Sequence, residues 1–239
     1  MGNAYYAPDA TRATKVSALF ARIAPRYDLI NDLQSFGLHR LWKRRLVRLA
    51  AARPGLHALD LCCGTGDVAF ALARAGAGVT GLDFSEEMLA MAKQRKPSAG
   101  TGQVEFLHGD ALQTPFPDAH FDVVTISYGL RNLADFTGGL REMHRVTRPG
   151  GRLVILDFGK PPNRLWRSLY FGYLRFAVPV FGRIFCGDAA AYAYILESLQ
   201  HYPAQEGVAT ALRELGCANV GVTHLLGGAM SLNYAEKAR

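Results

Sequence analysis

Residues 58–67 read Ala58-Leu59-Asp60-Leu61-Cys62-Cys63-Gly64-Thr65-Gly66-Asp67, an apolar run that breaks into a glycine-rich turn and ends on an acid. Such a junction joins a strand to the next helix in an open α/β sheet, where ligands bind beyond the carboxyl ends of the strands. Gly64 and Gly66 would let the backbone approach a ligand closely. Outward from this turn, strand-like runs at 57–62, 79–84, 104–108, 121–127 and 152–158 alternate with helix-like stretches at 67–74, 85–95 and 136–146. The alternation predicts a doubly wound, mostly parallel sheet with helices on both faces. A hairpin over 220–225 and 231–237 would bring the sheet to seven strands. Upstream, 14–27 and 38–52 read as helices joined by 28–37. Downstream, 163–185, 189–198 and 203–215 read as further helical stretches.

The 239 residues, 49% hydrophobic and 20% charged, suit one globular domain and exclude a disordered chain. Within it we expect an N-terminal helical lid over 14–52, a cofactor-binding core over 57–158, and a substrate- or membrane-facing helical insertion over 160–200. Cys62, Cys63, Cys186 and Cys217 lack the paired spacing of a zinc site, so no metal is expected and reduced thiols are the simpler reading. A net charge of +7 invites an anionic membrane surface or nucleic acid. No RNA-binding aromatic strand or dedicated basic domain supports the latter. Residues 1–16 carry no secretory signal and no run approaches the ~20 apolar residues of a spanning helix, so a cytoplasmic protein with peripheral membrane contact is expected.

Two ligand classes compete for the first turn. Gly64-Thr65-Gly66-Asp67-Val68-Ala69 satisfies a dinucleotide fingerprint, and Asp83 stands where a ribose-binding acid belongs. Asp60 and Asp67, however, would flank a pyrophosphate with like charge. S-adenosylmethionine brings a sulfonium, an ammonium and a ribose diol, which carboxylates welcome, so the acids favour it over a nicotinamide nucleotide. Asp110, in Gly109-Asp110-Ala111, and Ser127 close the third and fourth strands, placing Asp60, Asp83, Asp110 and Ser127 at four successive strand ends. For Asp110 the plainer alternative is an Asx turn.

Together, the Leu59–Asp67 loop, Asp83, Gly109-Asp110-Ala111 and Arg145-Val146-Thr147-Arg148-Pro149-Gly150-Gly151 resemble the class I S-adenosylmethionine-dependent methyltransferases. A narrower resemblance lies in Tyr27-Asp28-Leu29-Ile30-Asn31-Asp32-Leu33-Gln34-Ser35-Phe36-Gly37-Leu38-His39-Arg40-Leu41-Trp42-Lys43-Arg44. With Ser127-Tyr128-Gly129-Leu130-Arg131-Asn132, Asp157-Phe158-Gly159-Lys160-Pro161 and Asp188-Ala189-Ala190-Ala191-Tyr192-Ala193-Tyr194, it resembles the ubiquinone/menaquinone biosynthesis C-methyltransferases. That resemblance implies cofactor contacts at Thr65, Asp83, Asp110, Ala111 and Ser127, beside the Asp60, Gly64 and Gly66 read from the turn. It also implies methyl transfer to a ring carbon of a reduced prenylated quinone, demethylmenaquinol first.

Such a carbon becomes nucleophilic when a neighbouring hydroxyl loses its proton. Arg131, just past the fourth strand, is the first choice to favour the phenolate; its alternative is a structural ion pair with an acid such as Asp135. Asp28 or His39 is expected to accept the proton, while Tyr27, Asn31, Asn132, Tyr192 and Tyr194 are expected to hold the ring. The basic, aromatic stretch 163–186 reads as a surface-lying membrane element at the mouth of the quinone pocket. Its alternatives are a core helix or a homodimer interface. Rival functions are methylation of another lipophilic phenol or lipid, a nucleotide-dependent oxidoreductase and an RNA-binding module.

Overall fold

Five parallel strands carry the centre of the molecule. In the computed structural model, which describes residues 11–24, 27–95, 102–186 and 189–239, they are β1 (His57–Leu61), β2 (Gly78–Asp83), β3 (Val104–His108), β4 (Phe121–Ser127) and β5 (Thr147–Phe158). With β6 (Ala218–Leu225) and β7 (Met230–Glu236) they form one seven-stranded sheet in the order β3-β2-β1-β4-β5-β7-β6. Only β7 runs opposite to the other six strands. The order reverses at β1, which pairs with β2 on one side and β4 on the other. That opens the crevice where doubly wound sheets bind ligands.

Side chains alternate across the strands and build two apolar layers. Leu59, Leu61, Val124, Ile126, Leu153 and Ile155 enter one layer. There they meet α1 (Arg12–Ile23), α6 (Phe136–Val146), α7 (Arg164–Cys186), α8 (Ala189–His201) and α9 (Ala204–Glu214). Ala58, Val79, Val123, Val154 and Leu156 enter the other layer, against α3 (Leu38–Ala50) and α4 (Asp67–Arg74). The remaining crossover is α5 (Glu86–Gln94), capped by Ser85, whose hydroxyl accepts from the Met88 N–H.

The N-terminal segment differs from expectation. Residues 28–37 were expected only as a joint, but α2 (Tyr27–Ser35) occupies most of them. Asn31, Asp32 and Ser35 are weak helix formers, yet Ile30 is fully buried and the Ser35 hydroxyl donates to the Asn31 carbonyl at 2.6 Å. The helix stops at Phe36 and Gly37, both at positive φ, with the Gly37 N–H returning to the Asp32 carbonyl. β5 likewise starts at Thr147 rather than 152, through an irregularity in its pairing with β4. The stretch after β5 is one 23-residue helix, α7, with Pro179 inside it. Among the described residues, no helix is long and apolar enough to cross a membrane.

Candidate active site

Two cavities meet at the carboxyl end of the sheet, sharing Phe20 of α1 and Tyr128 after β4. The first lies at the β1–β2–β4 crevice. Gly64, Asp83, Asp110, Ala111 and Ser127, expected as cofactor contacts, border it, and so does Asn132, which was expected to hold the substrate ring. Asp83 holds the turn together: its Oδ2 accepts from the Gly64 N–H at 2.7 Å and its Oδ1 from the Ser85 N–H at 2.9 Å. Burial pushes its carboxyl above the ordinary value, against the pull of these N–H donors. The Asx turn weighed for Asp110 is present, with Oδ1 accepting from the Leu112 N–H at 2.8 Å. The Ser127 hydroxyl is buried without a hydrogen-bond partner.

Asp60, Thr65 and Gly66 do not border this cavity. Asp60 projects to the opposite layer, is 1% exposed and accepts from the Thr125 hydroxyl at 2.7 Å. Burial raises its pKa to about 7. Gly66 starts α4 at φ +84, where a Cβ would also lie 2.8 Å from the Phe106 ring, so both backbone and space require glycine. Asp67 is tied to Lys43 at 2.8 Å and Arg95 at 2.6 Å. Burial opposes its ionisation, but the Lys43 ammonium and Arg95 guanidinium hold it well below the usual carboxylate range. The repulsion expected from Asp60 and Asp67 therefore belongs to other acids: the cavity's charged residues are Asp83 and Asp110, with no Lys or Arg on its wall among the described residues. A cationic ligand carrying a diol suits such a wall; a phosphate does not.

The second cavity, about 340 Å³, is apolar and lies between α1, α2, α3, α7 and α8. His39, Asn31, Arg131 and Tyr194 border it. Tyr194 is 1% exposed and donates to Asn132 Oδ1 at 3.2 Å, so two of the expected ring-holding residues link the two cavities. The side chains of Tyr27, Asp28 and Tyr192 lie outside the described set. Arg131 does not pair with Asp135, which bonds Arg141 and Thr137 instead. Its Nη1 donates to Asp157 Oδ1 at 2.9 Å, both side chains being 5% exposed or less, and its guanidinium lies over the Phe158 ring at 4.4 Å. Its charge is thus already matched by a buried carboxylate.

The sequence reading missed Phe20, Met88 and Cys62 in the first cavity and Gln34 in the second, whereas Tyr170 and Tyr173, which also border the second, fall in the 163–186 stretch expected at the pocket mouth. Gln34 stands three residues after Asn31, on the same helical face, which is the signal that could have found it. Cys62 had none: it sits at φ +51 in a turn position that usually suggests glycine.

The ubiE/COQ5 methyltransferase family model matches residues 9–237. The chain is 39% identical over 228 residues to demethylmenaquinone methyltransferases of Staphylococcus aureus strains, covering 93% of this chain and 94% of the relative. Among solved structures, a possible histamine N-methyltransferase from Thermotoga maritima superposes with a TM-score of 0.64 at 19% identity, covering 92% of this chain and 99% of that one. An S-adenosylmethionine-dependent methyltransferase from Aquifex aeolicus gives 0.61 at 20% identity, covering 87% and 97%. At those identities the structures speak for the fold, while the family model and the S. aureus relatives extend over nearly the whole chain, N-terminal helices included: the chain belongs to the ubiE/COQ5 methyltransferase family.

Proposed function

We propose that this methyltransferase moves a methyl group from S-adenosylmethionine to a ring carbon of a reduced prenylated quinone, with demethylmenaquinol the substrate. The carrying observation is the junction of an acid-walled cleft with a larger apolar cavity across Phe20 and Tyr128. The S. aureus relatives' name points to the same substrate.

The first cavity fits the cofactor. Each Asp83 oxygen accepts one N–H and keeps capacity for a ribose hydroxyl. The Ser127 hydroxyl supplies an unsatisfied group on the wall. When bound, the cofactor supplies an electrophilic methyl on a sulfonium. The chain's own part is to hold the ring against that methyl, exclude water and favour the phenolate. Calorimetry should show S-adenosylmethionine binding and no binding of a nicotinamide dinucleotide. Asp83→Ala should weaken the former about tenfold or more, the scale of a charge-assisted hydrogen bond. Unchanged affinity in that variant, or preference for the dinucleotide, would refute the cofactor assignment.

The same reading makes α7 a membrane-docking element. Leu165, Leu169, Phe176, Val180 and Ile184 are 54–72% exposed and recur at spacings of four and seven, one stripe along a helix about 35 Å long. Arg164, Arg175 and Arg183 are exposed beside it, and no Asp or Glu occurs over 158–187. Phe36, Leu169 and Leu226 are exposed and border the apolar cavity, so its mouth opens where this apolar surface begins. A prenyl tail could remain in the lipid while its headgroup enters. Leu169→Asp with Phe176→Asp should abolish co-sedimentation with phosphatidylglycerol vesicles, and neutral phosphatidylcholine vesicles should bind the parent more weakly. No vesicle binding by the parent, or a solution dimer that buries the stripe, would overturn this role.

A further inference from the structure

His39 lies 3% exposed at the start of α3, on the wall of the apolar cavity. Its Nε2 is 2.7 Å from Asp32 Oδ1. Asp32 also receives the Arg40 guanidinium, foremost among the influences that hold its carboxyl down at about 2. An ionised carboxylate only accepts hydrogen bonds, so Nε2 must carry the hydrogen. In the neutral ring Nδ1 is then a bare lone pair. That atom is buried and has no partner. The Nδ2 of Asn31 and the Nε2 of Gln34, on α2 and bordering the same cavity, are also buried without partners. Among the described residues, three that border the apolar chamber therefore hold one buried acceptor and two buried donors without partners, although leaving such groups unpaired costs about 1–3 kcal/mol each.

A phenolic hydroxyl complements that set: its O–H can donate to Nδ1 and its oxygen can accept from an amide. Arg131 is less suited to take a proton, being always charged and already matched by Asp157. We infer that His39 Nδ1 is the base that takes the proton from the substrate hydroxyl, with Asp32 as its positioning residue. The inference rests on the reading that a phenolic ring occupies this cavity. In the step the O–H bond breaks and an Nδ1–H bond forms. The electron pair stays on oxygen, and a neutral imidazole and a neutral hydroquinone become an imidazolium and a phenolate. Asp32 stabilises the imidazolium across Nε2–H, as an acid does in a base–orienter pair. Burial lowers the pKa of His39, which favours the neutral form of the ring. The other charged groups acting on it are Lys43 of its own helix, which opposes protonation, and Asp67 of α4, which favours it.

The test compares the parent with His39→Gln and Asp32→Asn, using a reduced 2-alkyl-1,4-naphthoquinone as the methyl acceptor and 2-naphthol as an optical probe of ionisation. His39→Gln should lower kcat about 10²- to 10⁴-fold, the range of a general base, with KM for the quinol changed less than about threefold. The deficit should shrink as pH rises and the hydroxyl ionises unaided. Asp32→Asn, on a more exposed residue, should show a smaller loss of the same pH form and serves if His39→Gln does not fold. Bound 2-naphthol should ionise at lower pH in the parent than in either variant. Unchanged kcat, a loss equal at every pH, or naphthol ionisation indifferent to both substitutions would overturn the role. If the parent methylates no reduced quinone, the functional reading fails instead, while the naphthol titration still reports on His39.

Discussion

Replacing Asp157 with Ala is expected to destabilise the protein by about 3–5 kcal/mol, the cost of leaving one member of a buried ion pair uncompensated. Asp157 is 1% exposed at the end of β5. Its carboxylate accepts from the Arg131 guanidinium at 2.9 Å, from the Arg131 backbone N–H at 3.1 Å and from the Phe158 N–H at 2.8 Å. It therefore fixes both the side chain and the backbone of the short 3₁₀ turn Leu130–Asn132. That turn carries Asn132 to the first cavity and Arg131 to the second. The double variant Arg131→Leu with Asp157→Leu should recover much of the stability, since a buried pair replaced by apolar groups is often neutral. Urea unfolding of the two variants checks both statements. A loss below about 1 kcal/mol for Asp157→Ala would mean that the pair is not closed in solution.

Asp60→Asn is expected to change how stability depends on pH. The folded pKa of Asp60, about 7, stands above the unfolded value of 3.8. Between those values the folded state holds a proton that the unfolded state has lost. Raising the pH through this window therefore removes stability, about 1.4 kcal/mol per unit and about 4 kcal/mol in all. Below the window both states are protonated and above it both are ionised, so the loss is confined to it. Asparagine keeps an oxygen for the Thr125 hydroxyl and does not titrate. The stability difference between variant and parent should thus grow in favour of the variant by about 4 kcal/mol from pH 4 to pH 7.5. Taking the difference cancels the opposite contributions of Asp32 and Asp67, whose carboxyls are held low. Parallel stability curves would show that Asp60 ionises as freely in the folded chain as in the unfolded one.

These two acids also show which parts of the site the sequence could carry. Strand periodicity located β1 to β5 and the terminal hairpin, because apolar runs bounded by turns are a local property. The strand-end rule brought Asp83, Asp110 and Ser127 to one cavity. It misplaced Asp60, since the side a strand residue faces depends on the pleat: Leu59 and Leu61 enter one layer, so Asp60 must enter the other. Asp67 was misread because Lys43 and Arg95, its partners, lie 24 and 28 residues away in the chain. The ion pair weighed for Arg131 is present, but with Asp157, 26 residues on, rather than with the near acid Asp135 offered as its example. Nothing local marks such pairs. The helix α2 was missed because tertiary burial of Ile30 outweighs the weak propensity of its polar residues. With that helix unread, the Asp32–His39 bond had no geometry to rest on.

Methyl transfer to the ring carbon of a lipophilic quinol is tested by identifying the product. The full chain is incubated with methyl-labelled S-adenosylmethionine and a panel of reduced quinones in detergent or anionic vesicles. The panel includes prenylated naphthohydroquinones lacking the ring methyl, prenylated benzohydroquinones, and simple phenols without a tail. Mass spectrometry then locates the label. A labelled methyl is expected on a ring carbon of the prenylated naphthohydroquinone, with the tailless phenols turned over poorly. A label on oxygen, or no transfer to any quinol while another class of acceptor is methylated, would contradict this assignment.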